Sequence, residues 1–190
     1  MAFVAMAPAV TGQVASSSEY NKVVSNVVDL DARMNAVVGN TAYCHIYQNA
    51  AGTQTISNLT PVAVTFNAEV IDPQNMHSTV TNISRVTPVT AGRYRLTGGV
   101  CVPAAGTGSV ISQFRKNGAV VLGSATYQEK ALYTSSFIAL TAVCQATLIA
   151  NGSTDYFEMW TNQNSGGSIA TFSNATDQHS FMIVEYIGAT

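Results

Sequence analysis

The residues able to do chemistry are few and scattered. His45, His77 and His179, with Cys44, Cys101 and Cys144, are the strongest metal ligands and nucleophiles in the chain. A serine hydrolase places its nucleophile on a sharp strand-to-helix turn, and no Gly-x-Ser-x-Gly elbow occurs. Cys44 and His45 are adjacent, and adjacent strand residues face opposite sides, so the pair cannot close one metal site. No tetrahedral spacing of further ligands accompanies them. The cysteines are odd in number and lack a Cys-x-x-Cys pair, which argues against a disulfide framework and reads as buried thiols. Gly106-Thr-Gly108 is a turn and not a phosphate cradle, because no Lys-Ser/Thr follows it. Glycoside cleavage needs two carboxylates flanking a cleft. Glu69 with Asp72, and Asp155 with Glu158, each share a strand end, and neither pair stands out. The sequence therefore predicts no catalytic residue, no cofactor and no resident metal: not an enzyme.

Binding is the sharper expectation. Trp160, Asn162, Gln163, Asn164 and Ser165 form a candidate ligand loop, an uncharged stretch of amides and hydroxyls following Tyr156 and Phe157. Amides beside an aromatic ring suit sugar hydroxyls, by hydrogen bonding and stacking. The opposing reading puts Trp160 in the core and leaves the loop merely solvated.

These groups must be positioned by a chain whose composition is unusual. Its 190 residues are 47% hydrophobic but only 9% charged, against about 25% in ordinary soluble domains. Thr, Ser, Asn and Gln must therefore cover the surface. Eight Lys+Arg against ten Asp+Glu give a net charge of −2. Dispersed bases in that number do not neutralise a phosphate backbone, which excludes nucleic acid. The apolar fraction excludes extended disorder. The opening Met1–Ala7 lacks a basic flank and meets Pro8 early, so no targeting segment is read, and no run of about 20 apolar residues could span a membrane.

The composition changes near residue 40. Ser16-x-x-Glu19 has capping-box form and Gly39-Asn40 supplies a stop. Between them Tyr20, Val23, Val27, Leu30, Met34 and Val37 recur at gaps of 3, 4, 3, 4 and 3. That is the heptad seam of a short coiled coil; the alternative, with the apolar face widened by Val24, Val28 and Val38, is an amphipathic helix lying on the domain's own core. Val, a mediocre helix former, fills half of the seam, so the helix needs partners.

Beyond residue 41 the signals are β. Asn117-Gly118 between apolar segments marks a hairpin, and Asn151-Gly152 a second turn. Ala139 to Ala150 could pass for a helix, yet Leu140, Ala142, Cys144, Ala146 and Leu148 alternate with period two, which makes it a strand. The predicted strands are 43–48, 62–71, 79–87, 93–102, 109–116, 119–126, 136–149, 154–161, 168–173 and 178–187. Many short strands with regular turns mean a sandwich or jelly roll. The last is apolar on both faces through Phe181 and Ile183 on one side and Met182 and Val184 on the other. One face packs on the core; the other needs a second subunit.

Val64-Thr-Phe66-Asn-Ala-Glu69, Ser84-Arg85-Val86, Ala91-Gly92-Arg-Tyr94, Lys116-Asn117-Gly118, Asp155-Tyr-Phe157-Glu-Met-Trp160 and Ser180-Phe181-Met-Ile-Val-Glu-Tyr-Ile187 follow in one order. The set resembles the globular-head domain of complement and the tumour-necrosis-factor superfamily, in the version carried by bacteriophage virion proteins, over residues 43–188. The resemblance implies a ten-stranded antiparallel jelly roll and a tight homotrimer, with its first, about its eighth and its last strands near the threefold axis. Three copies of one His or Asp could meet there around an ion. Pro8-Ala-Val-Thr-Gly12-Gln-Val14, then Tyr20-Asn21 and the heptad helix, look like the opening of phage tail-fibre and minor tail proteins.

The resulting expectation has three segments: 1–15 an extended virion anchor, 16–40 a helical trimerisation stalk, 41–190 the jelly-roll head. Oligomerisation is assigned to Tyr20, Val23, Val27, Leu30, Met34, Val37, Phe181 and Ile183. The implied function is a non-enzymatic virion fibre, made in the host cytoplasm, whose head binds a host-surface glycan. Its anchor meets a larger tail or capsid protein. A capsid decoration protein or head fibre is the alternative, and a surface-glycan hydrolase the weaker one.

Overall fold

The computed structural model describes residues 17–38, 42–104, 106–130, 139–174 and 176–190, with side chains in the helix described for Ser18 and 20–30. The chain divides into two compact units, Met1–Thr41 and Ala42–Thr190. The predicted anchor 1–15 lies outside the described residues, as do the capping residues Ser16, Gly39 and Asn40.

The first unit contains α1, Ser17–Val38, filling the interval between the two sequence signals. Its described seam side chains are turned to solvent: Tyr20 is 65% exposed, Val27 58% and Leu30 48%. Those of Met34 and Val37 lie outside the described residues. No described helix is long and apolar enough to cross a membrane.

The second unit is mainly β. Its strands are β1 Tyr43–Tyr47, β2 Thr55–Ile56, β3 Val62–Ala63, β4 Ala68–Ile71, β5 Arg85–Val86, β6 Ala91–Pro103 and β7 Ser109–Lys116. β8 Ala119–Val120, β9 Thr126–Glu129, β10 Ala139–Asn151, β11 Phe157–Gln163, β12 Ile169–Ala170 and β13 Phe181–Gly188 follow. One sheet runs β10-β6-β13-β1-β4; the facing sheet runs β3-β11-β7-β8, with β5 on β11 and β9 on β7. All pairings are antiparallel. The core between them holds Ile46, Phe66, Tyr94, Leu96, Phe114, Phe157, Met159, Met182 and Val184, all fully buried.

The expected jelly-roll sandwich is therefore present, with thirteen described strand segments where ten runs were read. The differences have local causes. Run 62–71 splits because the chain leaves one sheet after Ala63 and enters the other at Ala68, while Val64 and Phe66 stay in the core. Run 79–87 shrinks to Arg85–Val86: Ser78 Oγ accepts the N–H groups of Val80 (3.3 Å) and Thr81 (3.1 Å), closing a local turn that competes with a strand. Run 119–126 breaks at Gly123, whose φ of 79° ends the pairing of β8. The Asn117-Gly118 hairpin forms as read, with both residues at positive φ (53° and 80°) and Lys116 opposite Ala119. β10 is a strand, with Leu140, Ala142 and Cys144 buried by alternation.

Candidate functional site

The outer face of the five-stranded sheet, away from the core, is built from the odd-numbered residues of β13 and β1. Strand register stacks them in rows. Tyr47, Phe181, Gly99 and Val143 make an apolar row; His45, Ile183, Thr97 and Gln145 a mixed one; Tyr43, Glu185, Arg95 and Thr147 a polar one. In the polar row Arg95 Nη2 donates to Glu185 Oε2 at 2.6 Å. Gly99 is required in the first row: a Cβ there would lie 2.9 Å from the Phe181 ring and 2.6 Å from Thr141. Its absence lets Phe181 lie against the sheet.

A broad groove of about 1100 Å³ opens over this face, lined by His45, Tyr47, Val143, His179, Phe181 and Ile183 among others. Tyr47 and His179 face each other with ring centres 5.2 Å apart, and His45 meets Phe181 edge-on at 6.4 Å. Burial holds the His45 imidazole below its usual pKa, favouring the neutral ring. Phe181 and Ile183, read from the sequence as the second apolar face of the last strand, are thus brought together with three further apolar or aromatic residues. His179, two residues before Phe181 and outside the strands, reads in the sequence only as a ligand; Tyr47 and Val143 were missed because their neighbours come from distant strands. Only the register aligns them.

The predicted ligand loop is distributed differently. β11 extends to Gln163, so Asn162 and Gln163 are strand residues opposite Ile111 and Val110. Gln163 is 1% exposed. Its amide donates to Ile56 O (3.0 Å) and Gly167 O (2.7 Å), and its carbonyl accepts from Ser165 N (2.7 Å). Asn164 Oδ1 accepts from Ser109 N at 2.5 Å. The Gln163 amide thus closes its own loop and ties it to Ile56, and the Asn164 amide ties it to the start of β7. Trp160 and Asn162 remain, side by side and half-buried on the outer face of the second sheet.

The other candidates resolve into structural roles. Asp72 accepts from Met76 N (3.0 Å) and His77 N (2.8 Å), and Glu69 Oε1 lies 2.8 Å from His77 Nδ1. The Glu69–His77 contact spans eight residues and carries no motif. Asp155 meets Lys116 Nζ at 2.8 Å, and Glu158 meets Arg85 Nε at 3.1 Å. Cys44 faces the core and His45 the opposite side, as alternation requires. No group of three His, Cys, Asp or Glu suited to a metal occurs among the described residues.

All three cysteines are free and buried. Burial raises each thiol, Cys144 to about 12. The thiolate is the reactive form, so a thiol-specific colorimetric reagent at pH 8 should label none of them in the folded protein and all three in denaturant. Fast labelling without denaturant would refute this placement.

The arrangement of two antiparallel sheets around one core, with the first and last strands side by side, defines a jelly-roll sandwich. Comparison with solved structures finds the same fold in tumour-necrosis-factor-like domains. Eiger TNF from S. frugiperda superposes with a TM-score of 0.50 at 14% identity, over 79% of this chain and 94% of that one. Murine APRIL at pH 5.0 gives 0.54 at 10% identity, over 78% and 100%. The globular domain of zebrafish complement 1qA gives 0.48 at 15% identity, over 78% and 99%. Comparison with protein-family profiles and with curated proteins finds no match.

Proposed function

We propose that this chain is the subunit of a homotrimeric, non-enzymatic fibre protein whose jelly-roll head serves adhesion. The observation that carries the reading is the apolar row Tyr47, Phe181, Gly99 and Val143 on the outer face of a sheet whose other side already fills the core. An antiparallel sheet needs only one covered face. A second apolar face suits a copy of the same chain, and a contact that closes by rotation gives a ring. The exposed seam of α1 supports the same state independently, since a valine-rich helix of 22 residues is marginal alone.

Light scattering on the full chain should then give about three times 20.0 kDa; a single chain mass overturns the trimer. The bacteriophage setting, with residues 1–15 as anchor to a tail or capsid protein, rests on the sequence resemblance. Detection of the protein in purified particles, at tail or shell, tests it and separates fibre from decoration protein. Three heads on one stalk gain avidity for a repetitive surface. The trimer should therefore label host cells at concentrations where weak single sites do not, and absence of labelling at micromolar trimer would sink the adhesive role.

A further inference from the structure

The outer face of the second sheet carries a surface of different chemistry. Register places Glu158 of β11 between Arg85 of β5 and Arg115 of β7. The Glu158 carboxylate accepts from Arg85 Nε (3.1 Å), Ser84 Oγ (3.2 Å) and Trp160 Nε1 (3.1 Å). Arg85 lies over the Tyr156 ring at 4.0 Å and Arg115 over the Trp160 ring at 3.7 Å. Arg115 forms no ion pair among the described residues, and its Nε is buried without an acceptor. Its register partner Glu158 is engaged by Arg85, and Asp155 by Lys116.

The following rows of the same face hold Trp160 opposite Gln113, then Asn162, Ile111 and Tyr127. Tyr127 is 68% exposed. It lies four residues along β7 from Arg115, about 13 Å at strand spacing. Glu129, the acid on the far end of this face, is opposite Ser109, on the order of 20 Å from the Arg115 row. The end bearing Arg85, Glu158 and Arg115 is thus locally positive on a chain of net charge −2.

We propose that this face binds a carboxylate-bearing oligosaccharide, with Arg115 on the carboxylate and Trp160, Gln113, Asn162 and Tyr127 along the sugar rings. The proposal rests on the adhesive reading above and gives it a location and a ligand class. A guanidinium fork matches a carboxylate in plane and is held in place here by its stack on Trp160. Aromatic rings beside amides meet the apolar faces and hydroxyls of sugars. A neutral glycan would leave Arg115 without an ionic partner. An oligomer is required because the polar and aromatic groups extend well beyond the span of one ring.

Trp160 is the only tryptophan in the chain, so its emission reports on this face alone. Oligogalacturonate titrated into the full-length protein should change that emission saturably, and its fully methyl-esterified form should not. Arg115→Gln should weaken the effect about tenfold or more, and Arg115→Lys, which keeps charge without the fork, by less, both with an unchanged melting temperature. Equal response to the esterified form, no response at millimolar sugar, indifference to Arg115→Gln, or equally strong binding of polyglutamate each overturns the proposal. Cell labelling that survives Arg115→Gln removes this site and leaves adhesion standing. An emission response without cell labelling removes adhesion and leaves the site.

Discussion

Ile183→Asp is expected to yield a folded head that no longer self-associates, and Val184→Asp, one residue on, no folded head at all. The two side chains leave β13 on opposite faces. Val184 is 0% exposed between the sheets, where an unpaired carboxylate costs several kcal/mol against a total stability of roughly 5–15 kcal/mol. Ile183 sits half-buried between His45 and Thr97 on the outer face, where Asp in an isolated chain keeps its water and costs on the order of 1 kcal/mol. In a trimer the same carboxylate would be desolvated in every copy. The comparison belongs at pH 8, where His45, its pKa already lowered by burial, is neutral and cannot pair with the new acid. Circular dichroism separates the folding outcomes and light scattering the masses. A trimeric Ile183→Asp protein would show that subunits do not meet across this face.

The two faces of β13 were legible in the sequence because period-two alternation is a local property. Phe181 and Ile183 differ from Met182 and Val184 by parity alone. The same locality explains what was lost. Residues 62–71 keep their alternation while the backbone changes sheets, and nothing in Val64-Thr-Phe66-Asn67 records the crossing. Contacts with distant residues hold it: Asn67 accepts from Asn49 N at 2.9 Å and donates to Asn49 Oδ1 at 2.6 Å, and Thr65 N donates to Gln54 Oε1 at 2.7 Å. Trp160 and Asn162 were found by type, as an aromatic beside amides. Arg115 and Tyr127 were not, because strand register and not sequence distance places them in the same rows. The loop amides show a related limit: Gln163 and Asn164 have the chemistry to bind a sugar, and backbone groups of Ile56, Ser109, Ser165 and Gly167 already take part of it.

The sharpest stability test falls on Asp155. Its carboxylate takes Lys116 Nζ at 2.8 Å, Asn117 Nδ2 at 2.7 Å and Asn151 N at 2.9 Å. It thereby ties the Asn117-Gly118 hairpin to the Asn151-Gly152 turn, two segments far apart in sequence whose glycines both sit at positive φ (80° and 73°). Asp155→Ala would leave Asn117 Nδ2 and Asn151 N without this acceptor and remove the ionic partner of Lys116, whose Nζ keeps Ile149 O at 2.7 Å, at a cost on the order of 2–4 kcal/mol. For a domain of this size each kcal/mol lowers the melting temperature by about 2–4 °C. The Lys116 hydrogen bond, then that of Asn117, holds the carboxyl below its usual pKa against the opposing effect of burial. The folded state therefore binds this proton less readily than the unfolded chain. The stabilisation is complete above the ordinary carboxylate pKa and is lost as pH falls through it toward the lowered value. Denaturant melts of the two proteins should accordingly differ most near pH 7 and converge toward pH 3. A gap that stays constant over that range would mean that the charged carboxylate is not what joins the two turns.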